Sequence, residues 1–156
     1  MFEGTNLSEF TSDLSSLMTG WGMFYLCDEL TSFNSDLSNL SIGREMFSNC
    51  YKLTTFNGDL SSLTDGNSMF FKNNITSFSS DLSNLIRGMG MFEGCSNLVS
   101  FSSVLSSLTE GANMFMGCKL DAESVMFIAD SIKDIAAEKQ LYINGTIPYV
   151  TYDSTT

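Results

Sequence analysis

Apolar residues return along this chain at a fixed interval. Met-Phe stands at 1–2, 23–24, 46–47, 69–70, 91–92 and 114–115, at steps of 22, 23, 23, 22 and 23 residues. A leucine-type column keeps the same step (Leu7, Leu30, Leu53, Ile75, Leu98), as does a phenylalanine column (Phe10, Phe33, Phe56, Phe78, Phe101). Two further leucine columns run through 14, 37, 60, 82, 105 and 17, 40, 63, 85, 108, and Gly20, Gly43, Gly66, Gly88 and Gly111 each precede the next Met by three residues. Of 13 phenylalanines, 11 fall in two columns, which chance does not produce. One such unit cannot bury its own apolar side, but stacked units can share a continuous core. Like side chains then pile along an axis at about 4.8 Å per coil.

Within one unit the pattern changes period. The segment "SFNSDL" (32–37) sets Phe33, Ser35 and Leu37 against Ser32, Asn34 and Asp36. That alternation predicts one short parallel strand per repeat with a polar outer face. The column of Ser12, Ser35, Gly58, Ser80 and Ser103 is small throughout, as an inward position beside Phe should be. The "MFxxC" segment is too short for an independent helix and is expected as a helical turn or irregular arc. The glycine column reads as a bend that needs positive φ or a close backbone approach.

The interval stops after Cys118. Residues 120–139 place apolar side chains at 125, 128, 129, 132, 135 and 136, a helical stripe, with Asp121 as N-cap and Glu123 in the first turn. "LYINGTIPYV" (141–150) offers two β-rich runs around Asn144-Gly145, a hairpin signal, and Pro148 argues for its edge. An open solenoid end exposes core and strand edge, so the expected organisation is five repeats over 1–113 and a partial sixth repeat plus cap over 114–156. The repeat is already running at residue 1, so the chain is expected to be part of a longer protein with any export signal upstream.

Composition narrows the function. The formal charge is −11, with seven cations and no histidine. That leaves no electrostatic footprint for nucleic acid or an anionic membrane, and no run is long enough to insert in a bilayer. With no histidine, no G-x-S-x-G and no phosphate-cradling glycine loop, no catalytic constellation forms, and neither enzyme activity nor a cofactor is expected.

Three polar columns remain. Cys27, Cys50, Cys95 and Cys118 each sit four residues after the repeat Met, and the two 22-residue repeats are the two without cysteine. Buried core-filling thiols fit that pattern; disulfides between 27 and 50 or 95 and 118 are the alternative. Asp13, Asp36, Asp59 and Asp81 form a column of like charge. Each either caps the turn that follows or shares a calcium ion with its neighbours. Ser32, Asn34, Asp36, Thr55, Asn57, Asp59, Ser77, Ser79 and Asp81 together form the outward strand face, a candidate surface for protein or glycan and equally a solubilising decoration.

The arrangement "MFxxCxxLxxFxxDLSxLxxG" over residues 1–120 resembles the BspA-type leucine-rich repeat of bacterial surface proteins. This chain uses Phe where that family's strand usually carries Leu or Ile, and Asp-Leu-Ser where many members have Pro. The resemblance implies an α/β solenoid, a right-handed superhelix closed by a helix-plus-hairpin cap. It also implies a non-catalytic surface or extracellular module for adhesion or host-factor recognition, binding protein or glycan on a host or neighbouring cell. A phage virion or tail-associated repeat domain is the alternative.

Overall fold

The computed structural model describes residues 2–132. The chain winds as stacked coils, with strands β1 (Ser32–Phe33), β2 (Thr55–Phe56), β3 (Ser77–Phe78) and β4 (Ser100–Phe101), then helix α1 (Ala122–Ser131). β1 pairs in parallel with β2, setting Phe33 beside Phe56, and β3 with β4, setting Phe78 beside Phe101. The hydroxyl outside and the ring inside repeat at every strand.

The strand wall is weaker than the alternation implies. Each strand is two residues long, the coil around Phe10 forms none, and the wall is two separate pairs rather than one sheet. Side chains take over the backbone's partners just past each strand: Ser35 Oγ donates to the Ser12 carbonyl and Asp36 Oδ1 accepts from Ser38 N–H. The break between β2 and β3 falls at the single 22-residue step of this column, from Phe56 to Phe78.

A second parallel ladder, not expected from the pattern, is continuous. Bridges join Thr19 to Ile42, Ile42 to Asp65, Asp65 to Arg87 and Arg87 to Glu110. Gly20, Gly43, Gly66 and Gly88 N–H groups donate to the bridge residue of the next coil at 2.7–2.8 Å. This wall ties five coils together.

The Met-Phe arc is a run of turns, as expected, and its donors alternate. Met46 N–H bonds within its coil to Gly43, while Phe47 N–H crosses to the Met69 carbonyl at 2.9 Å. Positive φ occurs at the residue before the Met (Gly22, Glu45, Ser68, Gly90, Asn113) and three after it (Gly4, Leu26, Asn49, Lys72, Gly94, Gly117). The regular glycine column is not left-handed, which corrects that part of the sequence reading. It is small because the next coil's methionine lies against it: a Cβ on Gly43 would sit 3.0 Å from Met69 Sδ and 3.2 Å from leucine methyls on both sides.

The core is an aromatic zip. Phe24, Phe47, Phe70 and Phe92 stack in one column, Phe33, Phe56, Phe78 and Phe101 in the other. Neighbours within a column lie 5.3–6.0 Å apart and nearly parallel. Between columns the rings meet edge to face, as Phe33 and Phe47 do at 4.7 Å. Both geometries are favoured by the ring quadrupole. Leucines 30, 37, 40, 53, 60 and 63 fill the remaining space and are fully buried.

Asp121 is the N-cap of α1, its Oδ1 accepting from Ser124 N–H at 2.8 Å, with Glu123 in the first turn. Ile128 is buried, and Val125 and Ile132 pack on the core. Ser124 is the unexpected inward residue. Its Oγ accepts the Phe101 N–H at 2.8 Å, so one hydroxyl covers the open edge of β4. The later part of the expected helix and the hairpin at 141–150 lie outside the described residues.

Candidate binding surfaces

The cysteines face inward and are free. Each thiol donates to a phenylalanine carbonyl of the preceding coil: Cys27 to Phe2, Cys50 to Phe24 and Cys95 to Phe70 at 3.0 Å, Cys118 to Phe92 at 3.2 Å. Asn73 occupies the same place in a cysteine-free coil and donates its amide to the Phe47 carbonyl at 2.9 Å. The column is therefore a set of small donors, a role the core-filling reading missed. The replacement of Cys by Asn at 73 was the signal for it. Burial pushes the Cys50 and Cys95 thiols up to about 12, and Cys118 upward as well, so they are poor nucleophiles.

The aspartate column caps turns. Asp13, Asp36, Asp59 and Asp81 each accept, through Oδ1, the N–H of the serine two residues on at 2.8 Å. That bond helps offset the repulsion between stacked carboxylates. The Ser15 N–H, with its hydroxyl, holds the Asp13 carboxyl below the usual aspartate range. Among the described residues no three His, Cys, Asp or Glu side chains group as a metal site.

Every member of the sequence-derived site is exposed: Ser32, Asn34 and Asp36, Thr55, Asn57 and Asp59, Ser77, Ser79 and Asp81. The pairing Ser32↔Thr55 brings the first two coils' members side by side, and the third set lies on the next coil, where Phe78 stacks 6.0 Å from Phe56 and Ser80 Oγ donates to the Gly58 carbonyl without a strand bridge. The face is polar, and among the described residues its aspartates are the members that hold turns.

The second ladder carries a different surface. Asp65 is buried there, with Arg44 Nε and Nη2 at 2.9 and 2.6 Å from its Oδ2. Arg87 approaches the same oxygen at 3.5 Å and Glu110 at 3.6 Å. Met18, Trp21, Ile86 and Met89 stand exposed around this charge row. Sequence reasoning passed over it because its columns share no residue type.

A shallow hollow of about 110 Å³ lies where β4 meets α1, between Ser102, Asp121 and Phe127. It is too small for an ordinary ligand site. No helix among the described residues is long and apolar enough to cross a membrane.

A closed aromatic core with two displayed walls defines a repeat solenoid. Residues 18–140 match the model of the BspA-type leucine-rich repeat region, in six copies. The chain belongs to that family. No curated protein and no solved structure matches it significantly.

Proposed function

We propose that the protein is a non-catalytic binding module, displayed on a cell surface or outside the cell, that recognises a protein partner through the walls of its solenoid. Repeats of this family generally mediate protein binding, which supports the reading. The observation that carries it is the division of labour between columns. Residues that recur at every coil point inward or cap turns, and other exposed side chains such as Lys52, Asn39 and Asn84 tie coil to coil, whereas the strand-face hydroxyls and amides of Ser32, Asn34, Thr55, Asn57, Ser77 and Ser79 are turned to solvent. The thiols, the strongest nucleophiles the chain could offer, are buried, and burial raises those of Cys50 and Cys95 to about 12. The strand face of Ser32, Asn34, Asp36, Thr55, Asn57, Asp59, Ser77, Ser79 and Asp81 adds directional hydrogen-bonding groups for a protein or glycan on a host or neighbouring cell.

The test is a binding screen with the folded chain against a panel of cell-surface proteins and a glycan array. Saturable binding to a protein, lost on heat unfolding, is the expected result. A chain that binds no member of either set above the background of a scrambled-surface control would defeat the reading.

A further inference from the structure

The two walls differ in how they vary along the axis. The strand face repeats one chemistry, as in Asn34, Asn57, Ser79 and Ser102. On the second wall the column of Trp21 continues as Arg44, Asn67, Met89 and Ala112, changing class at nearly every coil. Variation alone is neutral, but large apolar side chains in water are not. Met18 is 67% exposed, Trp21 59%, Ile86 40% and Met89 43%. Trp, Met and Arg are the residue types that anchor protein interfaces, and Ser, Asp and Glu are depleted there.

Charge selects the partner. The chain carries −11, yet both of its two arginines lie on this wall. Arg44 is committed to Asp65 through two short hydrogen bonds. Arg87 is held more loosely, by ion pairs of 3.5 Å to Asp65 and 3.6 Å to Glu110 that are too long for hydrogen bonds, and its side chain is 47% exposed. Asp65, buried beneath, and the half-exposed Glu110 hold the guanidinium in place without hydrogen-bonding its fork. A half-exposed, pre-placed guanidinium whose chain neighbours Ile86 and Met89 are also exposed fits a carboxylate arriving with apolar neighbours.

We propose that this wall docks a protein segment that sets an acidic side chain on Arg87 and apolar side chains on Ile86 and Met89, with a second apolar anchor on Trp21. Trp21 and Met89 are three coils apart, so the anchors are spaced by about 14 Å, roughly four residues of extended chain. This placement rests on the protein-binding reading above and assigns it to a wall and a partner chemistry.

The probe is a phage-displayed library of random twelve-residue peptides, panned on the immobilised full chain. Enriched peptides should carry Asp or Glu beside an aliphatic or aromatic residue, with a second apolar residue several positions away. A selected peptide should bind about tenfold or more weakly to Arg87→Ala and to Trp21→Ala, partly recover on Arg87→Lys, and weaken as salt rises. Ser62→Ala, in an exposed turn outside both walls, should leave its affinity unchanged, and Asn57→Ala reports whether the peptide sits on the strand face instead. Circular dichroism of each variant excludes unfolding as the cause. Enrichment of basic or purely polar peptides, loss on Asn57→Ala, or no enrichment at all would overturn the assignment. So would self-association of the chain through Arg87, or glycan binding that needs Trp21 and ignores Arg87. A partner found in the surface-protein screen whose binding survives Arg87→Ala and Trp21→Ala would sink this wall and leave the binding module standing.

Discussion

Phe56 and Asn57 are neighbours in sequence and opposites in environment, so the pair tests the stacking geometry with local propensity nearly held constant. Phe56 is 9% exposed and touches four rings: Phe33 at 5.7 Å and Phe78 at 6.0 Å within its column, Phe70 at 4.8 Å and Phe47 at 5.5 Å across it. Phe56→Ala removes all four contacts at once, and coils held by backbone ladders on either side cannot collapse into the space. Truncation of a buried phenylalanine costs about 3–5 kcal/mol. At about 2–4 °C per kcal/mol for a chain of this size, the melting midpoint should drop by roughly 10 °C. Asn57 projects outward, and Asn57→Ala should cost less than about 0.5 kcal/mol.

The assay is urea unfolding followed by circular dichroism, with amide exchange on both variants. Coil-to-coil coupling adds a second readout. Loss of the middle contact weakens the interface between neighbouring coils, so Phe56→Ala should lower the apparent m-value or split the transition, as in other quasi-one-dimensional folds. Comparable shifts for the two variants, or a larger one for Asn57→Ala, would refute the placement of the strand and of the aromatic columns.

Gly43→Ala introduces a Cβ 3.0 Å from Met69 Sδ and 3.2 Å from two leucine methyls; it should destabilise by about 1–3 kcal/mol in a thermal melt through overpacking, and Met69→Ala in the same chain should remove part of that penalty. Native protein at pH 8 should resist a thiol-specific disulfide reagent and titrate four cysteines only after unfolding. Because burial raises the Cys50 and Cys95 thiols to about 12, the folded state keeps protons that the unfolded state loses. Stability should therefore be flat in this respect below the ordinary thiol value and fall between about pH 9 and pH 12, a slope that Cys50→Ser should reduce in a series of melts. Asp65→Ala strands Arg44, 40% exposed, while Arg87, 47% exposed, keeps Glu110 at 3.6 Å; solvent reaches both, so the cost should be about 1–2 kcal/mol rather than the 3–5 of a fully buried pair, read by urea midpoint.

What the sequence made legible follows from what a column of like residues requires. Phe33, Leu37, Leu40 and Leu53 each share a burial fate with their equivalents one period away, so their inward placement needed only the interval. Asp36 as a turn cap and Asp121 as a helix cap were readable for a related reason: an aspartate before a turn or helix has backbone donors within reach. Backbone partners were harder. The second ladder runs through Thr19, Ile42, Asp65, Arg87 and Glu110, five residues with no common chemistry, because only their N–H and C=O groups take part. The left-handed positions were half visible, in Gly22, Gly90 and Asn113 and in Gly94 and Gly117, but Glu45, Leu26 and Lys72 in the same columns hid them. The glycine column that did recur without exception proved to be a packing requirement under Met46, Met69 and Met91.

The same logic separates fold from recognition on the surface. A repeat that stacks on copies of itself keeps constant whatever the next coil must meet, so constancy marks structural duty wherever it occurs, on the outside as well as the inside. Asp13, Asp36, Asp59 and Asp81 illustrate it: the exposed column that looked most like a site is constant because each carboxylate holds a turn. Recognition needs the opposite property, a surface whose chemistry differs from coil to coil so that only one partner matches it. In this chain the change from exposed Trp21 through half-buried Arg44 and Asn67 to exposed Met89 has that property. It lies over a backbone ladder that runs unbroken through five coils, and rigidity limits the entropy lost when a partner docks.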